Sequence, residues 1–212
     1  MKALIAIAML ALAGSLWAQS AVSKLTGSPK TGLTPFTSPD GTFRIVYPDL
    51  LIRCERVQEK NGSTYSYFWG QPGCSAYIPP CGNAEADDQT LLCLAYPPAK
   101  FADNPTFGAA VFTVAETNET EKECLVFDRP LNPITIRGVK FTAGVSGDAA
   151  LGHMRYSKGY AAFHNGKCYG FAITIVTTTV DFDPPVKELT KDEWDEVNRP
   201  LEQVRDSFEF LK

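Results

Sequence analysis

Residues 155–179, RYSKGYAAFHNGKCYGFAITIVTTT, constrain this chain more than any other stretch. Asn165-Gly166 stands between two series of β-formers, and an Asn-Gly pair tolerates the positive φ angles of a two-residue type I′ turn, so the run predicts a β-hairpin. The turn sets a register in which Phe163 faces Cys168, Ala162 faces Tyr169, Ala161 faces Gly170 and Tyr160 faces Phe171. Along the second strand, alternation separates Tyr169, Phe171, Ile173 and Ile175 from Cys168, Gly170, Ala172 and Thr174. One bulky face and one small-residue face predict packing on both sides, and hence a central place in the sheet.

The same alternation places other strands. Phe43, Ile45 and Tyr47 share one face of residues 42–47, which Pro48 stops. Asp49 is a candidate cap for a short helix through Leu50, Leu51 and Cys54. Asn61-Gly62-Ser63 turns the chain into an expected strand at 64–69, followed by a loop at 70–86 that holds Cys74, Pro79-Pro80 and Cys81. A loop of that length in a compact domain is functional or stapled. Residues 90–96 and 107–115 are expected strands. Residues 118–127 form an expected helix, with Glu119, Glu121 and Glu123 near its positive end and Leu125 inward. Two more strands, 134–137 and 139–145, join near Gly138, and Ser146-Gly147-Asp148 is read as a turn. After a break at 181–185, Thr190 with Glu193 forms a capping box for a helix whose stripe is Trp194, Val197, Leu201 and Val204. Pro200 is expected to bend or restart that helix, and residues 207–211 to close as a short strand. The expected class is α+β, an antiparallel β-sheet flanked by helices in a single domain.

Residues 1–18 read as a secretory signal: Lys2, an apolar run to Ala13, then small residues before Gln19. The competing reading is a membrane anchor, but residues 3–17 are 15 in number, short of the roughly 20 that span a bilayer. Cleavage would leave 212 − 18 = 194 residues, one domain of ordinary size, and loss of Lys2 would take the formal charge from −4 to −5. That balance, with acidic residues spread along the chain, argues against nucleic acid, whose binding needs a basic face. No second apolar stretch is long enough to span a membrane. Residues 19–40, rich in Ser, Thr, Gly, Pro and Lys, are expected to be a flexible leader, leaving 41–212 as the folded domain in a secreted or periplasmic setting.

All six cysteines, Cys54, Cys74, Cys81, Cys93, Cys124 and Cys168, lie downstream of the signal. An even count in an oxidising compartment points to three disulfides among 15 possible connectivities. The alternatives are a metal site and a redox-active pair, yet there is no CxxC, the form that zinc modules and thioredoxin-type chemistry use.

Candidate chemistry is sparse. His153 and His164 are the only histidines, and eleven residues apart on one strand they stand roughly 35 Å apart, too far to share a metal. Ser146 suggests a nucleophile elbow, but Asp148 stands where GxSxG needs Gly, and a hairpin follows where a helix must. Asp148 with His153 is a candidate acid/base pair, against Asp as an ordinary turn former. Asp181, Asp183, Glu188, Asp192, Glu193, Asp195 and Glu196 form an acidic region without a DxDxDG loop, read as a solvated helix face rather than a calcium site. Tyr65, Tyr67, Phe68 and Trp69 form the densest aromatic run. Neighbours on a strand point to opposite faces, so these rings lie either under a sheet covered on both sides or on a possible binding surface beside the 70–86 loop. No catalytic residue, cofactor or metal ligand is assigned.

Three pieces in order, GTFRIVYP at 41–48, a meander ending in AAFHNGKCYGFAITI, and the closing helix and strand at 201–210, resemble the PsbP-like α/β/α sandwich family. The resemblance covers roughly residues 41–211. HNGKCY with an upstream Cys, here Cys124, is similar to the uncharacterised secreted bacterial branch of that kind. The resemblance implies a bridge between Cys124 and Cys168, with Cys74–Cys81 and Cys54–Cys93 as the remainder. It carries over no functional residue, and the cysteines depart from plant and cyanobacterial PsbP. The expected function is a non-enzymatic secreted or periplasmic accessory or binding domain with a protein or small-molecule partner in the cell envelope. The alternatives are a cell-envelope hydrolase without recognisable motifs and a carrier that holds metal through thiolates. Thiol titration under denaturing, non-reducing conditions is expected to find no free thiol, whereas free thiols with stoichiometric metal would reverse the disulfide reading.

Overall fold

The Asn165-Gly166 turn takes the conformation its chemistry favours, with φ of 51° and 80°. It joins two long strands in the expected register, Phe163 opposite Cys168 and Tyr160 opposite Phe171. In the computed structural model, residues 32–54, 90–97, 104, 106–150, 152–178 and 188–211 are described. Their elements are β1 (Leu33–Thr37), β2 (Phe43–Pro48), β3 (Ile52–Arg53), β4 (Thr90–Ala95), β5 (Phe107–Thr117), α1 (Glu121–Cys124), β6 (Pro130–Ile136), β7 (Val139–Ala150), β8 (His153–His164), β9 (Lys167–Thr178), α2 (Lys191–Ser207) and β10 (Glu209–Phe210).

Seven strands form one sheet in the order β3-β4-β5-β9-β8-β7-β6, so β9 holds the middle. Every pairing is antiparallel. The β6–β7 hairpin repeats the turn chemistry with Arg137 and Gly138 at φ 47° and 85°. Pro130 and Pro133 on the edge strand β6 remove donors that would otherwise invite another strand.

The bulky face of β9 meets α2 and a second sheet of three strands, β1-β2-β10. Phe171 is the hub, its ring 5.0 Å from Phe141, 5.1 Å from Tyr160, 5.4 Å from Phe208 and 5.6 Å from Phe112. Val197, Leu201 and Val204 of α2 are wholly buried against this layer. The expected capping box is present, Thr190 and Glu193 each binding the other's backbone N–H. Because β10 covers only the start of β2, the Ser207 hydroxyl takes the next position. It accepts from the Val46 N–H at 2.8 Å and lies within reach of the Val46 carbonyl.

The fold is thus a β-rich α+β fold, and several expectations need correction. The inner layer is part helix and part sheet rather than helices alone, because β1, β2 and β10 bring Phe36, Phe43 and Ile45 over the larger sheet. Within the expected leader, residues 33–37 form β1, since Phe36 packs on Phe43 with ring centroids 6.1 Å apart. Residues 1–31 lie outside the described residues, as do the expected strand at 64–69 and loop at 70–86. Asp49 opens no helix: after a turn the chain enters β3, where Ile52 pairs with Ala95. The expected helix at 118–127 is the single turn α1. Ser146-Gly147-Asp148 is no turn but the interior of β7, paired to Ser157, Tyr156 and Arg155, and the chain reverses at Gly152 instead. Helix α2 runs unbroken through Pro200, which is itself buried beside Val197 and Leu201. Packing there outweighs the lost backbone bond.

Among the described residues no helix is long and apolar enough to cross a membrane. Phe208→Ala, which empties the space shared by Phe43, Phe141 and Phe171, is expected to cost about 3–5 kcal/mol in urea unfolding. Leu131→Ala on the exposed edge is expected to stay within about 0.5 kcal/mol.

Candidate functional site

The small-residue face of β9 turns away from the main core. In register with it across the sheet run Thr113, Ala172, Gly159 and Gly144, and beside them Thr174, Ser157 and Ser146. These side chains are too short to fill the space above the strands. They floor a groove of about 500 Å³, walled by the segment around α1.

Two devices hold that wall. A disulfide joins Cys124, at the end of α1, to Cys168 on β9, with Cα atoms 5.5 Å apart. The other device is Phe127, whose ring lies directly on the backbone of two glycines. A Cβ added to Gly144 would come within 2.3 Å of that ring, and one added to Gly159 within 2.8 Å. Both positions must therefore lack a side chain. A capping box of Thr120 and Glu123 closes the turn of α1. The Thr120 hydroxyl, then its N–H, hold the Glu123 carboxyl below its usual range. Glu123 is among the residues that line the groove.

Polar groups on the floor are mutually bonded. The Ser157 and Thr174 hydroxyls lie 2.8 Å apart, and Thr174 is buried. At one end Arg155 donates to Asp148 at 2.6 Å. That contact decides the fate of the candidate acid/base pair: Asp148 is bound to Arg155, and His153 pairs with Ala150, its Nδ1 3.4 Å from the Thr178 hydroxyl. Ser146 is on the groove floor opposite Ser157, four residues along β7 from Ala150. Strand geometry separates Ser146 from His153 by roughly 13 Å. His164, at the far end of β8, stacks on Phe210 at 3.9 Å. The two histidines thus mark opposite ends of one strand.

Of the expected acidic region, Asp181 and Asp183 lie outside the described residues, Glu193 sits in the cap of α2, Asp195 is bound to Lys191 at 2.5 Å, and Glu196 accepts from the Tyr96 hydroxyl at 3.4 Å. Among the described residues no group of three or more His, Cys, Asp or Glu is placed to hold a metal ion. On the bulky face Glu116 is buried and bound to Lys167, beside Tyr169, whose phenol burial pushes upward.

The Cys124–Cys168 bridge is the pairing that the resemblance implied. Cys54 and Cys93 are disulfide-bonded as well. They are neighbours, the Cys54 N–H donating to the Cys93 carbonyl at 2.9 Å. Cys74 and Cys81, together with the aromatic run Tyr65, Tyr67, Phe68 and Trp69, lie outside the described residues. Sequence reasoning missed Phe127, Gly144 and Gly159. The available signal was the Gly-Ser alternation at 144–147, which matches the small-residue alternation of β9.

No family model matches the chain, and no curated protein matches it. A crystal structure from Bacteroides thetaiotaomicron VPI-5482 is similar at 12% identity and a TM-score of 0.42, over 86% of this chain and 49% of that one. The chain spans about half the length of that structure, and at this score the likeness carries no argument about fold or function.

Gly144→Ala is expected to destabilise the protein by about 1–3 kcal/mol, because the new methyl collides with Phe127. Combining it with Phe127→Ala is expected to recover most of that increment in a double-mutant cycle read by urea unfolding.

Proposed function

We propose that the protein is a secreted or periplasmic binding or accessory domain of PsbP-like build, and that the walled groove over β9 receives its partner. The observation that carries this reading is the groove itself. Its floor is four paired strands and its wall is covalently tied to the central one, so the cavity is preformed rather than assembled on binding. Fixed hydroxyls on the floor and charged groups at both ends supply orientation in an otherwise small-residue surface.

Further support comes from what surrounds Ser146. A hydroxyl nucleophile needs a base within hydrogen-bond reach, and the neighbour across the ladder from Ser146 is Ser157. The Cys124–Cys168 bridge fits an oxidising compartment. The PsbP-like part of the proposal rests on the order of elements: an opening strand, a long antiparallel meander, and a closing helix followed by a strand.

Cell fractionation is expected to place the oxidised protein in the periplasm or medium. A thermal-shift screen of envelope extracts and metabolites is expected to yield a ligand whose stabilisation disappears in Ala172→Phe, which fills the groove. Turnover of a hydrolase panel, lost on His153→Ala, would replace this reading with the hydrolase one.

A further inference from the structure

Strand β7 outruns its outer neighbour. The pairing with β6 ends at Pro130 opposite Gly144, and the Val145 N–H donates to the Arg129 carbonyl at 2.9 Å. Before Arg129 the chain lies on the outer face, where Phe127 covers Gly144 and Gly159. β7 itself continues to Ala150, paired from Val145 onward with β8. Backbone groups alternate sides along a strand, so Gly147 and Ala149 point their N–H and C=O the way Val145 does, toward the vacated side. Ser146, Gly147, Asp148 and Ala149 are all exposed. Among the described residues these outward groups meet one partner, the Arg129 guanidinium, whose Nη2 donates to the Gly147 carbonyl at a long 3.5 Å.

A row of unpaired backbone groups is a template for another extended chain, and folds usually blunt such edges. The strands at the other edges are blunted: β3 and β10 are two residues long, β1 carries Pro35, and β6 carries Pro130 and Pro133. The far half of β7 has neither device, and its one charge, Asp148, faces the outer side and is bound to Arg155. The inner side adds an apolar surface. Gly147 and Ala149 stand directly across the ladder from Tyr156 and Met154, each of which is 50% exposed. Because the two β7 residues are so small, both large side chains are open to a strand lying one place further out.

We propose that residues 146–150 of β7 take an extended segment of a different polypeptide as a strand in line with β6, with apolar side chains at alternate positions lying over Gly147 and Ala149 against Tyr156 and Met154. A second copy of β7 fits this edge badly. In antiparallel self-pairing centred on Gly147, Ala149 of the second copy would fall on the place that Arg129 holds beside Val145. The next register sets Asp148 directly opposite its own counterpart, like charges in a close, non-hydrogen-bonded pair. A further shift leaves only residues 148–150 paired, because β7 ends there. An unrelated extended segment meets none of these obstacles. The edge works through backbone groups of β7, so the inference stands or falls independently of what the groove over β9 receives.

The test is NMR titration of the oxidised protein with the capped hexapeptide acetyl-Thr-Val-Thr-Val-Lys-Val-amide, and with the same peptide N-methylated on its valines. Residues opposite Gly147 and Ala149 share their face and turn their N–H groups to β7, so the valines supply both the apolar contacts and the hydrogen bonds. The unmodified peptide is expected to bind saturably and to slow solvent exchange of the Gly147 and Ala149 amides about tenfold at saturation. N-methylation is expected to weaken binding at least about tenfold, as is Gly147→Pro, which removes one outward donor and leaves the β8 ladder intact. Ala172→Phe, in the groove over β9, is expected to leave binding unchanged. No saturable binding up to about 5 mM, equal binding of the N-methylated peptide, or protection confined to other amides would overturn the inference, and these three readouts use the parent protein, so they hold whether or not Gly147→Pro folds. A concentration-dependent dimer that protects the same two amides without peptide would also overturn it, in favour of a second copy.

Discussion

The contact on which the rest of the architecture depends is the burial of Phe171 at the middle of the central strand. Its ring touches β5 through Phe112, β7 through Phe141, β8 through Tyr160 and the C-terminal segment through Phe208. Four parts of the chain far apart in sequence thus share one side chain's surroundings. Each aromatic of this size removes a large apolar area from water, and the gain is collective because every ring is a wall of its neighbour's site. The small sheet and α2 are placed by this cluster: Phe43 stacks on Phe208 at 5.1 Å, which brings β2 over the larger sheet.

The reverse side of the same strands is organised by subtraction. Where the inner face is filled by rings, the outer face of β7, β8 and β9 offers hydrogens, methyls and hydroxyls. One large side chain, Phe127, settles on two glycines, and the Cys124–Cys168 bridge tethers the segment that carries it. A disulfide closing a span of 44 residues limits how far the wall can stray even when local packing loosens. The groove exists because one ring and one bridge hold a short segment beside a floor too shallow to fill the gap.

Much of the local structure was legible because it is set by neighbours in sequence. Asn165-Gly166 dictated its turn through backbone preferences of two residues, and the register of a hairpin of two twelve-residue strands followed from it. Thr190 and Glu193 form their reciprocal cap because both partners lie within one helical turn. What could not be read depended on partners distant in sequence. Ser146-Gly147-Asp148 has the composition of a turn, yet pairing with Ser157, Tyr156 and Arg155 extends the strand through it. Residues 33–37 look like part of a polar leader, and they become a strand because Phe36 finds Phe43. Pro200 should interrupt a helix, and burial of its neighbours on both sides keeps the helix whole. Phe127 was one aromatic among thirteen phenylalanines until the fold laid Gly144 and Gly159 beneath it.

The amino-acid order alone determined the reversal at Asn165, the two-faced character of β9, the cap of the last helix and the oxidised chemistry that its cysteines would support. These rest on interactions within a few residues or on composition, which any conformation of the chain carries with it. Only the tertiary structure decided which strands flank β9, that a second sheet shares the inner layer, that Asp148 binds Arg155 and not His153, and where open space remains on the outer face. Those outcomes depend on which of many apolar surfaces meet, a choice made by simultaneous packing of distant segments that no local pattern encodes.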